Sequence, residues 1–256
     1  LTIIAERGYL IPAIDTDTVD YLSCAIQLAQ SIKKWHPDAN ISVLSVKRCS
    51  NPVFDHVIPL PFGDLGGYAN DWQVFHASPY RQTIKLEADM ICASPIDHWW
   101  TLFEQRDVVV SQGCRTYYDQ PGQSRRYRAI FDNNHLPDIY NAITYWRRSE
   151  TAKEFFDLVR AIFTNWDYYK VLLKFSDDAA TTDVVYAMAA VIMGTEQVTL
   201  PPGLGPTIVH MKKHIIRTVS EDWTKELTWE QDPVRINTVA QWGLIHYHIK
   251  EWANEQ

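Results

Sequence analysis

The chain is short of the features that define several large classes of protein. Its four cysteines (Cys24, Cys49, Cys92 and Cys114) are widely separated among 256 residues. They make no C-x-x-C pair and no zinc-finger spacing, which argues against a disulfide scaffold or structural zinc and fits thiols in a reducing compartment. Positive charge is also scarce: 24 Lys and Arg against 31 Asp and Glu leave a formal net charge of −7. A general nucleic-acid binder gains affinity by neutralising phosphates, so this balance argues against one, although a local basic patch is compatible with it. No apolar run approaches the ~18 residues that a membrane-spanning helix needs. The opening stretch LTIIAERG has neither the basic segment nor the cleavage site of a secretion signal, and a cytoplasmic location is the expectation. Repeats, low-complexity stretches and linkers are missing too, so residues 1–256 read as a single domain.

What is present is ordinary for a globular enzyme: 46% hydrophobic and 21% charged residues exclude disorder. Apolar LTIIAE reads as a first strand. Asp17 or Thr18 can cap a helix whose apolar positions Leu22, Ala25, Ile26, Ala29 and Ile32 recur at helical spacing. That helix ends near Pro37, and ISVLSV and HVIPLPF read as further strands. Strand, helix, strand in this order is a βαβ unit, the building block of a parallel sheet covered by helices. A short helix over Trp72–Ala77 then leads into the strand QTIKLEADMICA. RDVVVSQG and YNAITYWRRS read as strands, and residues 114–137 show no clear period. Ser149 caps a helix with Ala152, Phe155, Phe156, Val159, Ile162 and Trp166 on one face. TTDVVYAMAAVIM is another helix, and PTIVHMKKH and WGLIHYHIKEW are His-bearing strands.

The strand TIKLEAD ends on two carboxylates, Glu87 and Asp89. Residues two apart on an extended chain point to one side, and ligands of open α/β sheets bind beyond the carboxyl ends of strands. Two adjacent acids repel unless a cation lies between them. A hard divalent ion bridging the carboxylates to substrate phosphates, Mg²⁺ or Mn²⁺, satisfies that arrangement. The alternative for so short a motif is a solvated loop. A carboxylate pair leaves coordination positions open for imidazole.

The stretch Ser78-Pro79-Tyr80-Arg81-Gln82-Thr83-Ile84-Lys85-Leu86-Glu87-Ala88-Asp89-Met90, followed by Ile96-Asp97 and Trp100, resembles the D-x-D segment of GT-A fold glycosyltransferases. The likeness is to the glycogenin and lipopolysaccharide galactosyltransferase group, with Glu87 in place of the first Asp. Tyr21–Ile26 and Ser31–Ile41, with its HPD exit, resemble that group's first helix. Leu136-Pro137, Tyr140-Asn141-Ala142 and Arg147–Phe156 resemble its LP…NAG…FR.SE.A..F segment. The resemblance implies a GT-A (Rossmann-like) fold, with a mostly parallel central sheet flanked by helices. Residues 1–110 would be a nucleotide-binding half and 111–256 a sugar and acceptor half carrying a C-terminal metal ligand. It also implies a metal-dependent hexosyl- or pentosyltransferase that uses a nucleotide-sugar donor, most plainly a UDP-sugar, with retention of anomeric configuration.

By the same resemblance Asp89 and Glu87 bind the metal, Glu87 also meeting the ribose, and Ala5, Glu6 and Arg7 cradle the nucleotide. His246, in a shortened form of the C-terminal His motif, is the third ligand, with His210 as rival because it too follows an apolar strand and precedes lysines. Lys250 and Lys212 contact the diphosphate. Asn141 and Asp183 lie beside the anomeric carbon, although Asp183 equally suits a helix N-cap. Trp99 and Trp100 read as core beneath the site.

Arg115, Arg125, Arg126 and Arg128 stand among tyrosines in residues 114–128, with Lys212 and Lys213 as further cations. Such interleaving suits a phosphorylated acceptor, or hydroxymethylated phage-type DNA, as well as a solvated face or a clamp on the donor diphosphate. A glycan or lipopolysaccharide is the acceptor that the family implies. Two other functions fit the acid pair: a sugar nucleotidyltransferase, for which ERGYLIP supplies too little glycine, and a non-catalytic nucleotide-sugar-binding module.

Overall fold

Strand β1 (Ala5–Pro12) runs through the middle of a six-stranded sheet and buries its residues alternately on two sides. Tyr9 and Ile11 enter the apolar layer on one side, and Leu10 enters the layer on the other. The computed structural model that shows this describes residues 2–122, 128–174, 180–201, 203–210, 227–247 and 249–250. The strand starts later than the sequence suggests. Ile3 and Ile4 are apolar but exposed, and the buried run begins only at Arg7's successors.

After β1 the chain forms α1 (Tyr21–Trp35), β2 (Ile41–Leu44), β3 (His56–Ile58), α2 (Gln73–Ala77) and β4 (Tyr80–Leu86). Next come β5 (Met90–Cys92), α3 (His98–Phe103), β6 (Val108–Gln112), β7 (Cys114–Arg115), α4 (Ala129–Asn133) and β8 (Ile139–Arg147). Helices α5 (Glu150–Thr164), α6 (Trp166–Leu172), α7 (Thr182–Met193) and α8 (Thr195–Val198) precede β9 (Ile208–His210). The short strands β10 (Leu227–Thr228), β11 (Arg235–Ile236), β12 (Val239–Ala240) and β13 (Leu244–His246) follow.

The central sheet has the order β3-β2-β1-β4-β8-β6. β1, β2, β3 and β4 are parallel, whereas β8 lies antiparallel between β4 and β6. Helix α1 packs on one face with Cys24, Ala25, Leu28, Ala29 and Ile32 buried. Its cap is Asp20, whose Oδ1 accepts from Ser23 N at 3.0 Å, rather than Asp17 or Thr18. On the other face α5 and α7 bury Phe155, Phe156, Val159, Val185 and Ala189. Ser149 caps α5 as its spacing predicts, accepting from Ala152 N at 3.1 Å, but the helix ends before Trp166, which opens α6. Helices on both faces leave the middle strands nowhere to meet water, which is why they read as apolar runs.

A second sheet, β5-β13-β9-β7, abuts the first. Sequence periodicity predicts one strand from Gln82 to Ala93. Instead β4 stops at Leu86, and β5 resumes at Met90 in the second sheet, antiparallel to β13. Helix α1 ties the two together, since Ser31 Oγ accepts from Cys92 N at 2.9 Å and Trp35 Nε1 donates to Cys92 O at 3.1 Å. The residues between the sheets are Glu87, Ala88 and Asp89.

One position in β1 cannot carry a side chain. A Cβ on Gly8 would lie 2.3–2.5 Å from the ring of Tyr80, which is fully buried and shares a 2.6 Å hydrogen bond with Ser42. Gly8→Ala therefore forces the ring or strand aside, and the expected cost is about 1–3 kcal/mol. Urea unfolding checks it: an unchanged midpoint would mean that Tyr80 yields freely.

Candidate functional site

The passage between the sheets is pinned at both ends by backbone hydrogen bonds. Glu87 N donates to Ala142 O of β8 at 3.1 Å, and Tyr247 N, just past β13, donates to Asp89 O at 3.0 Å. The expected extended geometry does not hold here: residues 88 and 89 form a bend after β4, which buries Ala88 and still brings Glu87 and Asp89 together beyond the carboxyl end of the strand. The side chain of Asp89 is 8% exposed and that of Glu87 29%.

Antiparallel pairing places His246 opposite Met90, and this register brings the imidazole to the acids. Its Nε2 lies 3.1 Å from Asp89 Oδ2 and 3.3 Å from Glu87 Oε2. Among the described residues, Glu87, Asp89 and His246 each offer one ligand atom, all within 4.8 Å of one another. His210 sits one strand further away, in register with His246, its ring stacked at 4.9 Å and 17°. Of the two histidines, His246 is the one brought to the acids, and His210 backs it. The Lys250 ammonium is ion-paired with Asp89 and donates to Tyr247 O at 3.1 Å. Two carboxylates and one imidazole are a donor set suited to a hard or borderline divalent ion. A cationic group already lying against Asp89 shows that the site attracts positive charge.

Behind Glu87 lies a buried polar network that the sequence does not announce. Lys85, on the opposite face of β4 from Ile84 and Leu86, has a side chain only 2% exposed. Its ammonium donates to Asn141 O at 2.9 Å and lies 3.2 Å from Asp71 Oδ1. Asp71 Oδ2 accepts from Asn141 Nδ2 at 2.9 Å and from the Tyr186 hydroxyl. Burial, reinforced by the charge of Asp71, pushes the Tyr186 phenol well above its ordinary pKa, so it stays a hydrogen-bond donor. Asp183 opens α7 and accepts from Asn141 N at 2.8 Å, while Arg128 Nη1 approaches it at 3.1 Å. Asn141 Oδ1 accepts from Thr144 Oγ1 at 2.7 Å. The Asn141 side chain is thus engaged on both polar ends by protein, and Asp183, a quarter exposed, is the more open of the two.

The nucleotide-cradling role of Ala5, Glu6 and Arg7 does not fit this geometry. They begin β1, and Ala5 pairs with Tyr80, at the start of β4. Six residues of strand separate that end from Leu86, about 20 Å at ~3.3 Å per residue. Arg7 instead pairs with Glu104 and stacks over Trp100, and Glu6 pairs with Arg81. The segment leaving the carboxyl end of β1 is Ala13–Thr18. There Asp15 accepts from Leu22 N at 3.1 Å and pairs with Lys47. Nearby, the Tyr21 phenol is pushed up chiefly by burial and then by the charge of Glu87.

The arginine–tyrosine stretch is not a basic surface where the structure describes it. Arg115 is buried, stacks 3.7 Å above Trp242 and donates to Trp242 O. Arg128 is buried between Phe131 and Tyr140, at 3.9 and 3.8 Å, and pairs with Asp138 and Asp183. Both guanidiniums act inside the fold. Arg125, Arg126 and Lys212 lie outside the described residues. Trp99 and Trp100 are core, as their sequence context suggests.

A mixed sheet with helices on both faces, an acid pair at the carboxyl end of its central strand and a small second sheet crossing there define the GT-A fold. No family model and no curated protein matches the sequence. Solved structures do. The galactosyltransferase LgtC, solved with donor and acceptor sugar analogues and also as an active-site mutant, superposes with a TM-score of 0.50 at 12% identity, over 94% of this chain and 86% of LgtC. Mouse xyloside xylosyltransferase 1 superposes with a TM-score of 0.53 at 8% identity, over 96% of this chain and 98% of that one. GlyE from Streptococcus pneumoniae gives 0.51 at 8% identity, with 97% of this chain matching 56% of GlyE.

Proposed function

We propose that the protein is a glycosyltransferase that moves a sugar from a nucleoside diphosphate donor, a UDP-sugar in the first instance, to a glycan acceptor. The observation that carries this reading is the convergence of Glu87, Asp89 and His246 at the carboxyl end of the central strand of a GT-A fold. Mn²⁺ or Mg²⁺ would be held by those three side chains, with Asp89 as the buried anchor and Glu87 on the open side. What such an ion contributes when bound is neutralisation of charge on the departing diphosphate. LgtC has been solved with donor and acceptor sugar analogues, and the likeness of fold supports a sugar donor and a glycan acceptor here.

The residues of this chain divide the remaining work. Residues 1–110 form the nucleotide half and residues 111–256 the sugar and acceptor half. Lys250 reaches the diphosphate oxygens from beside Asp89. Asp183 offers its exposed edge to the sugar, and Asn141, locked by Asp71 and Thr144, positions Asp183 through its own backbone N–H. Among the described residues around the cluster, Asp71 is engaged by Lys85 and Tyr186, and Asp183 by Arg128 and Asn141. None of these carboxylates stands ready to deprotonate an acceptor, which favours retention over inversion.

The test is UDP release from a panel of UDP-hexoses and UDP-pentoses with Mn²⁺, Mg²⁺ or EDTA. The expected result is release with at least one donor, abolished by EDTA, and an α-linked product from an α-linked donor by NMR. No release from any donor with either ion overturns the reading, and a β-linked product overturns retention.

A further inference from the structure

The cation that the structure shows at the acid cluster is the chain's own. Lys250 Nζ is ion-paired with Asp89 through Oδ2, the same oxygen that lies 3.1 Å from His246 Nε2. The pair is held in place: Tyr247 O accepts from the ammonium at 3.1 Å, and the rings of Tyr21 and Tyr247 flank it at 6.0 and 5.9 Å. The two side chains are only 15% and 8% exposed, so water screens them little.

We propose that Lys250 is the resident counter-cation of Asp89, which a divalent ion has to displace, so that ion and nucleoside diphosphate enter the site as one unit. The inference rests on the metal-binding reading of Glu87, Asp89 and His246. Its argument is a charge count. The two carboxylates and the one ammonium sum to −1, close to balanced. Adding a divalent ion beside the ammonium gives +1 and sets two cations against one oxygen, which repel strongly where the dielectric is low. A diphosphate resolves both problems, because it brings negative charge with the ion and gives the displaced ammonium a new partner. Lysine suits the exchange: its compact charge sits on a flexible four-carbon stem, and Lys250 lies four residues past His246 in the sequence. The ion alone then binds weakly, UDP tightens it, and by linkage the ion tightens UDP by the same factor.

Titration of Mn²⁺ followed by its solution EPR signal, with and without UDP, tests this in the full chain. In the wild type, UDP is expected to tighten Mn²⁺ binding by about 10- to 100-fold, the size typical of coupling between sites. Lys250→Met, which keeps bulk and removes charge, is expected to bind Mn²⁺ without UDP about tenfold more tightly than wild type, and to lose most of the UDP enhancement. Lys250→Arg keeps the charge and is expected to stay weak, which separates charge from packing. Should Lys250→Met bind Mn²⁺ no more tightly than wild type while Asp89→Asn abolishes binding in both backgrounds, the counter-cation role is wrong and the metal site stands. If Asp89→Asn binds Mn²⁺ as wild type does, or if no form binds it even with UDP, the metal site itself is wrong and this inference falls with it.

Discussion

Asp89→Asn is expected, on the proposed function, to lower ion-dependent kcat/KM for the donor by about a thousandfold or more, while the chain remains folded. The size follows from the role: charge neutralisation on a diphosphate leaving group is worth several kcal/mol, and each 1.36 kcal/mol is about a factor of ten. The substitution is nearly isosteric, but it exchanges a charged oxygen for an amide that cannot hold a divalent ion. Glu87→Gln is expected to lose less, since Glu87 is the more exposed acid and lies further from the imidazole. Stability falls by about 1–3 kcal/mol, because the Lys250 ammonium, 15% exposed, loses its carboxylate partner and keeps only neutral acceptors such as Tyr247 O. Steady-state UDP release and urea unfolding on the same preparation read the two effects separately. Activity retained within a few-fold of wild type would remove the central assignment.

The acid pair was legible in the sequence because it breaks a local rule. A run of apolar residues bound for a sheet has no reason to end on two carboxylates at positions i and i+2; the triplet alone is also what a solvated loop would show, and the segments around it are the more specific signal. The histidine that joins the acids was only half legible. His210 and His246 each end an apolar triplet, and spacing cannot rank them. The ranking comes from strand pairing, which sets His246 against Met90 and leaves His210 one strand away. The misplacement of Ala5, Glu6 and Arg7 has a similar origin. Ile3 and Ile4 look like strand, but pairing with β4 begins only at Ala5 and the strand runs on to Pro12, which puts Ala5, Glu6 and Arg7 at its start rather than at its carboxyl end. The arginines failed differently. Cation and ring interleaved suggest a binding face, yet Arg128 finds its rings and carboxylates inside the protein. Composition does not encode which partners are internal. Lys85 sits between Ile84 and Leu86 in a strand with no exposed edge, and an ammonium there needs a buried partner.

That partner is Asp71, and the pair carries the second large effect. Asp71→Ala strands the Lys85 ammonium where its side chain is 2% exposed, and it removes the acceptor of both Asn141 Nδ2 and the Tyr186 hydroxyl. Removing one member of a buried pair costs about 3–5 kcal/mol, because the remaining charge has no solvent to turn to. Lys85→Met alone is expected to cost less, since Asp71 keeps two hydrogen-bond donors. The double variant Lys85→Met/Asp71→Ala removes both charges and should be more stable than Asp71→Ala alone. The cycle therefore shows strong coupling between neighbours that share one network. The network also holds Asn141, whose backbone N–H fixes Asp183, so Asp71→Ala should disturb the position of Asp183 as well as the core. Urea unfolding of the four proteins gives the cycle. A cost below about 1 kcal/mol for Asp71→Ala would mean that water reaches Lys85, and that the network does not hold the wall of the site in place.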